Sequence, residues 1–255
     1  MSDSPGVSVI VPFFNSERTL AACIDSLLDQ FEVEDGYEII LVNNRSTDGS
    51  PSIAARYSEI TTLEEEAVGA YSARNTGVGR ARAPIIAFTD ADCVVSRDWL
   101  RSIDEGMSDS AVAILLGHCR YPPQASLSLR LLGAYENAKA DYVIRRCGAV
   151  YHFGYANNMA VKASVFEELG PFEPWRRGAD SELVHRLEAN RPDLRLEFRP
   201  SMRVTHLEFI QTRERFRRMA LYTRTNSQIG SFRELGPIQR LGVLSQLLRR
   251  LPVYL

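Results

Sequence analysis

The stretch Phe-Thr-Asp-Ala-Asp-Cys-Val-Val at 88–95 sets two carboxylates, Asp90 and Asp92, one residue apart at the end of an apolar run. Side chains alternate along a strand, so this spacing turns both carboxylates to one side where the strand runs out. Two converging hard oxygen ligands suit Mg²⁺ or Mn²⁺, which keeps its other positions for water and phosphate oxygens. The same residues also suit a surface turn or a helix N-cap, because Asp bonds readily to nearby backbone N–H groups. Spacing alone does not choose between a metal and a turn.

Carboxylates at a strand end require a sheet, and the N-terminal half of the chain predicts one. Val7 to Phe14 is a short apolar, β-branched run, followed by a helical pattern of Leu20, Cys23, Ile24, Leu27 and Leu28 with Asn15 and Ser16 ahead of it as caps. Residues 37–44 repeat the strand signal, and the turn-forming Ser-Thr-Asp-Gly-Ser at 46–50 leads into a second helix. Residues 69–82 read as a helix and 84–90 as the next strand. This alternation predicts βαβ units and a mostly parallel, Rossmann-like sheet flanked by helices. Ligands of such sheets bind beyond the carboxyl ends of the strands. The polar residues at those ends are Asn15, Asn43, Asn44, Asp90 and Asp92.

Past residue 120 the repeat loosens. Helices are expected near 124–141, 163–169 and 179–189, separated by the Gly/Tyr/Asn-rich segment 148–161, and a helical C-terminal extension covers 210–228 and 238–251. Residues 191–255 hold thirteen Arg, no Lys and five acidic residues, a charge of +8 within a chain whose formal total is -2. That asymmetry fits a basic surface for phosphates, anionic lipid or nucleic acid, and equally a solvated helix face. Leu241, Leu244, Leu247, Leu248 and Leu251 form one stripe. It suits either docking on a membrane surface or packing onto the domain. The four cysteines form no CxxC pair, the polar N-terminus is unlike a signal peptide, and no run of about 18 apolar residues occurs. The expected setting is the cytoplasm, up to the inner face of the membrane.

Two nucleotide signatures are excluded. There is no GxxxxGK[ST], and Gly-Val-Gly-Arg-Ala-Arg at 77–82 ends a helix and precedes a strand, the reverse of the dinucleotide fingerprint. Five motifs in order carry a different signal: VSVIVPFFN, LVNNRSTDGS, YSARNTGVGRARAPIIAFTDADC, NNMAVKASVFEELGPFEP and RGADSELVHRL. Together they resemble family 2 glycosyltransferases of the GT-A fold over roughly residues 6–210. The resemblance implies inverting transfer of a sugar from a nucleoside-diphosphate sugar to an acceptor hydroxyl, aided by Mn²⁺ or Mg²⁺. It divides the chain into a catalytic domain at 1–209, with a donor half at 1–119 and an acceptor half at 120–209, and a basic helical extension at 210–255.

Residue roles follow from the same resemblance. Pro12, Phe13 and Asn15 match the loop against the nucleotide. Asn43 stands where the family usually has an aspartate on the base, so the amide substitutes a donor and acceptor for an acceptor alone. Arg74 matches a position near the diphosphate, Asp92 a metal ligand, and Asp90 a second ligand or a ribose contact. His206 resembles the late histidine that completes the metal site. Asp180 falls at the general-base position, with Ala179 replacing the usual Glu, and Glu182 is the runner-up. Both acids also fit simple stabilisation of a helix N-terminus. Glu182, Trp175, Asn157 and Asn158 are expected at the acceptor, with Tyr155 as a second stacking aromatic. Arg217, Arg218 and Arg224 match a basic helix after the catalytic domain.

The partners implied are a nucleotide sugar and a glycan, lipid-linked or small-molecule hydroxyl acceptor, without nucleic acid. Processive members typically carry Q-x-x-R-W and membrane spans. Gln211-Thr-Arg-Glu214 places Glu where that motif needs Arg, so single addition is expected. A sugar nucleotidyltransferase and a non-catalytic nucleotide-sugar-binding module on the same fold remain the alternatives.

Overall fold

The apolar run that opens the chain forms β1 (Val7–Phe13), and every residue of it is buried. A strand flanked by parallel neighbours and covered on both faces has no solvent side, so it carries no polar alternation. The computed structural model describes residues 4–175, 177–208 and 236–254. After β1 come α1 (Leu20–Leu28), β2 (Tyr37–Asn43), α2 (Ser50–Ala54), β3 (Thr61–Glu64), α3 (Ala70–Arg80) and β4 (Ile85–Thr89). Helix α1 buries Leu20, Cys23, Ile24 and Leu27, the one-face spacing of an amphipathic helix. Strand β1 pairs in parallel with β2 and β4. Its pairing with β4 stops at Ile10 opposite Phe88, so Pro12, which has no N–H, lies past the end of that ladder.

The second half runs β5 (Cys93–Val95), α4 (Trp99–Met107), β6 (Val112–Arg120), α5 (Leu127–Arg146), a 3₁₀ turn at Ala149–Tyr151, β7 (Asn158–Lys162), α6 (Ala163–Leu169), α7 (Ala179–Asn190), β8 (Arg195–His206) and α8 (Pro237–Tyr254). One eight-stranded sheet results, in the order β3-β2-β1-β4-β7-β6-β8-β5. It is parallel from β3 to β4, as the βαβ pattern predicts. Beyond β4 it is mixed: β7 is antiparallel to β4 and β6, β8 is parallel to β6, and β5 is antiparallel to β8. Both faces carry apolar packing. Phe88, Phe166 and Phe172 meet edge to face on one side, and Trp99, Leu100 and Ile103 of α4 pack with Leu20 and Ile24 of α1 on the other. Of the paired glycines at 77–82, Gly77 serves packing. A Cβ on Gly77 would lie 2.5 Å from Ile10 Cγ2, so glycine here lets α3 press against β1.

Asn158, expected at the acceptor, is instead a knot inside the sheet. It is fully buried where β7 begins. Its Oδ1 accepts from the Trp99 indole N–H at 2.9 Å, and its Nδ2 donates to the His118 and Met202 carbonyls at 3.1 and 2.9 Å. One amide thereby satisfies groups on α4, β6 and β8, leaving no side-chain surface for a sugar. Asn158→Ala strands a buried donor and two buried acceptors, each worth about 1–3 kcal/mol. We expect it to destabilise the fold by at least about 2 kcal/mol in urea unfolding followed by circular dichroism; an unchanged midpoint would contradict this role.

Candidate active site

Helix α3 supplies the centre of the site. Tyr71, Arg74 and Asn75 leave it in three directions. The Arg74 guanidinium is buried and donates through Nη2 to Asp90 Oδ1 at 2.5 Å, with its carbon 5.1 Å from the centre of the Tyr71 ring. The Tyr71 hydroxyl hydrogen-bonds Asp180. Asn75 clamps the loop before α7, donating to the Phe172 carbonyl at 2.8 Å and accepting from its N–H at 3.0 Å. Arg74 is therefore no helix-surface cation, and it feels both the Asp90 and the Asp180 charge. The sequence pointed to Arg74 but to neither Tyr71 nor Asn75, whose partners lie far along the chain.

The two aspartates of the opening stretch do not share a strand face. Strand β4 ends at Thr89, and Cys93 N–H donates to the Asp90 carbonyl at 2.9 Å, closing a turn. A turn breaks the period of two, and the carboxylates part: Asp90 goes to Arg74, and Asp92 goes to His206. Antiparallel pairing sets Cys93 opposite His206, and Leu207 N–H donates to the Asp92 carbonyl at 2.8 Å. His206 Nε2 then lies 3.5 Å from Asp92 Oδ2, and atoms of Asp92, Cys93 and His206 all fall within 4.8 Å of one another. A carboxylate oxygen and an imidazole nitrogen at that separation fit two positions around one divalent cation, whose bonds to such ligands are about 2.0–2.2 Å. Burial, followed by the nearby Asp92 and Asp90 charges, pushes the Cys93 thiol well above its ordinary value. Asp90, committed to Arg74, is outside this group.

Asp180 opens α7. Its Oδ2 accepts from Ala156 N–H at 3.1 Å and its Oδ1 from Ser181 N–H at 2.8 Å, besides the Tyr71 hydroxyl. The 153–156 segment comes this close because residue 154 is glycine: a Cβ there would sit 2.6 Å from the Asp180 carbonyl oxygen. A carboxylate has about four acceptor positions, so a fourth remains for an incoming hydroxyl. Burial pushes the carboxyl above the usual aspartate value, while Tyr71, Arg74 and the two N–H groups oppose that rise. Ala179 is fully buried in apolar packing, so position 179 offers nothing to an acceptor. Burial also raises Glu182, which pairs with Arg186 at 3.2 Å one helical turn on.

The loops at the other strand ends are stapled together. Asn15, at φ 48°, accepts from Thr47 N–H at 2.8 Å, and its own N–H donates to Ser46 Oγ at 3.1 Å. Asn tolerates this left-handed backbone better than most residues. Asn43 donates to Glu64 at 2.8 Å and accepts from Ser46 N–H at 3.0 Å. Asn44 is a staple too, donating to the Glu65 and Ala67 carbonyls and accepting from Gly69 N–H. Phe13 does not face a nucleotide: it is 2 % exposed and packs with Leu20 and Ile24, and Pro12 beside it is buried. Phe14, at 59 % exposure, is the aromatic that this loop presents. On the acceptor side Trp175 is 41 % exposed, whereas the Tyr155 hydroxyl is spent on the Gly117 carbonyl at 2.7 Å and its ring packs in the core. Asn157 is half-buried, with Oδ1 3.8 Å from the Cys119 thiol. Arg217, Arg218, Arg224 and the Gln211–Glu214 stretch lie outside the described residues.

A helix-flanked, partly parallel sheet with carboxylates gathered beyond its strand ends is the architecture of GT-A glycosyltransferases. The solved structures agree. The mannosyltransferase PcManGT of Pyrobaculum calidifontis, in complex with GDP-Man and Mn²⁺, superposes with a TM-score of 0.65 at 24% identity over 99% of this chain and 74% of that one. S. aureus TarS in complex with UDP gives 0.63 at 16% identity over 79% and 60% of the two chains. Residues 8–170 match the family described as Glycosyl transferase family 2, and the chain belongs to it. Glycosyltransferase AglE of Haloferax volcanii is 28% identical over 177 residues, 67% of this chain and 57% of that protein. Putative glycosyltransferase EpsH of Bacillus subtilis is 32% identical over 174 residues, 65% and 49% of the two. The chain thus spans about half the length of these curated relatives.

Removing the Tyr71 hydroxyl takes away a donor that favours ionised Asp180. One such bond is worth about 1.5 kcal/mol, or about one pKa unit. Tyr71→Phe should raise the Asp180 pKa further by about that amount in a carboxyl-resolved NMR titration, and a fall or no change would remove Tyr71 from this role.

Proposed function

We propose that the chain transfers a sugar from a nucleoside-diphosphate sugar to an acceptor hydroxyl with inversion, one residue at a time. The observation that carries this is the buried Arg74, with a donor-side carboxylate, Asp90, on one hand and an acceptor-side carboxylate, Asp180, within its field on the other. Inverting displacement needs a base on the face opposite the leaving group, and Asp180 retains one open acceptor position for the attacking hydroxyl's proton. Its raised pKa makes it a stronger base than an ordinary aspartate. Asn15 and the loops it joins border the nucleotide, with the Asn43–Glu64 pair at the base. Trp175 offers an exposed face for an acceptor sugar. Asp92 and His206 would hold a Mn²⁺ or Mg²⁺, which when bound supplies positive charge against the departing diphosphate. Nucleotide-sugar complexes of PcManGT and TarS support the donor class. Among the described residues no helix is long and apolar enough to cross a membrane.

The test is release of nucleoside diphosphate from a panel of nucleotide sugars, with and without Mn²⁺ and pooled glycan or lipid acceptors. Asp180→Asn should cut transfer by at least about 10³-fold while donor affinity changes little; wild-type turnover in this variant would overturn the base assignment. Because the base works ionised, wild-type transfer should rise with pH through an Asp180 pKa above the usual aspartate range. Asp92→Ala should lose the Mn²⁺ dependence of donor binding, and an unaltered dependence would take Asp92 out of the metal site. Pyrophosphate formed from sugar phosphate and nucleoside triphosphate would instead mark a nucleotidyltransferase, and binding without turnover a non-catalytic module.

A further inference from the structure

The leucine stripe of the C-terminal helix is divided in the fold, and the division assigns its two sides different work. Leu247 and Leu251 pack onto the core, and Val243 is fully buried. Helix α8 is pinned there by the buried Asp141 of α5, whose Oδ2 accepts from the Tyr254 hydroxyl and from Gln246 Nε2, both at 2.7 Å. The Tyr254 carbonyl in turn lies 3.1 Å from His118 Nε2 in β6. With this seat fixed, Ile238, Leu241, Leu244 and Leu248 face outward, 80%, 67%, 46% and 78% exposed. At about 100° per residue these four share one third of the helix circumference, with Arg240 and Arg249 at its two borders.

Beside that face α5 and α8 enclose an open cleft of about 460 Å³ rimmed by Arg145, Arg146, Arg249 and Arg250. The one carboxylate in its lining, Asp141, is already neutralised: Arg145 pairs with Oδ1, and Arg250 Nη1 lies 3.4 Å from Oδ2. Arg146 and Arg249 are exposed and meet no carboxylate among the described residues. Four guanidiniums around one consumed carboxylate leave an excess of positive charge, and guanidinium forks match phosphate oxygens. A bordering strip of aliphatic side chains matches the acyl boundary just beneath a phosphate layer.

We propose that this α5–α8 face docks on an anionic lipid bilayer, with the arginine cleft on lipid phosphates and the Ile238–Leu248 strip in the interface. The inference is independent of the transfer reaction, because it uses none of the residues placed at the active site. The full 255-residue chain is floated with vesicles of phosphatidylcholine alone or with added phosphatidylglycerol. Association with the anionic vesicles alone is expected, weakening as salt rises because the attraction is screened within a Debye length. Arg146→Glu/Arg249→Glu and Leu241→Gln/Leu248→Gln should each reduce binding by about tenfold or more. Both pairs are exposed, and unchanged thermal unfolding of the variants confirms that the fold survives. Absence of flotation, equal flotation with neutral vesicles, or flotation unchanged in both variants overturns the proposal. So does binding of inorganic phosphate to the cleft without vesicle association. A concentration-dependent dimer in sedimentation that the leucine pair abolishes, again without vesicle binding, would reassign the face to a second copy of the chain.

Discussion

A buried guanidinium is costly unless its charge is met, at several kcal/mol for an unpaired ion. Arg74 is held inside the protein by α3, and the carboxylates that answer it come from different places: Asp90 from the turn after β4, Asp180 from the start of α7. The fold must deliver both to one point. That requirement accounts for the tight seat of α3 on β1 through Gly77, for the Asn75 clamp on the Phe172 loop, and for the approach of Gly154 to Asp180. Electrostatic necessity and catalytic geometry coincide here. The cation that answers two acids in the resting protein also favours the charged form of the acid expected to work as a base.

The same economy appears in the sheet. Inserting β7 antiparallel between β4 and β6 breaks the simple doubly wound plan and brings buried backbone carbonyls of β6 and β8 close to α4. Asn158 resolves that crowding by bonding three of the groups involved. A residue with the polarity of a sugar ligand is consumed by architecture. Asn44, Tyr155 and Phe13 carry the same lesson: lying beyond or at a strand end does not make a side chain available to a ligand.

The parts legible in the sequence were those whose signal is local. Strands β1, β2 and β4 are apolar runs closed by turn formers, and α1 shows one-face periodicity between the first two. Strands β6 and β8 were not read; β8 carries charged residues along a half-exposed strand, which hides the apolar signal. Strand β7 was hidden inside an Asn/Gly/Tyr-rich stretch. The candidate site divides in the same way. Motif resemblance pointed to Arg74, Asp90, Asp92, Asp180 and His206, and the structure brings them into two groups. The period-of-two argument for Asp90 and Asp92 failed because it assumed a strand where the backbone turns. Tyr71 was missed since its importance rests on Asp180, more than a hundred residues later.

The pairing of β5 with β8 places Asp92, from the first half of the chain, against His206, from the last strand of the sheet. A nascent chain therefore carries Asp92 long before its partner has been synthesised. The pair proposed to hold a cation is complete only once β5 has joined β8 at one edge of the sheet. During synthesis the earlier strands can assemble without offering both members of that pair, which is whole only in the finished sheet.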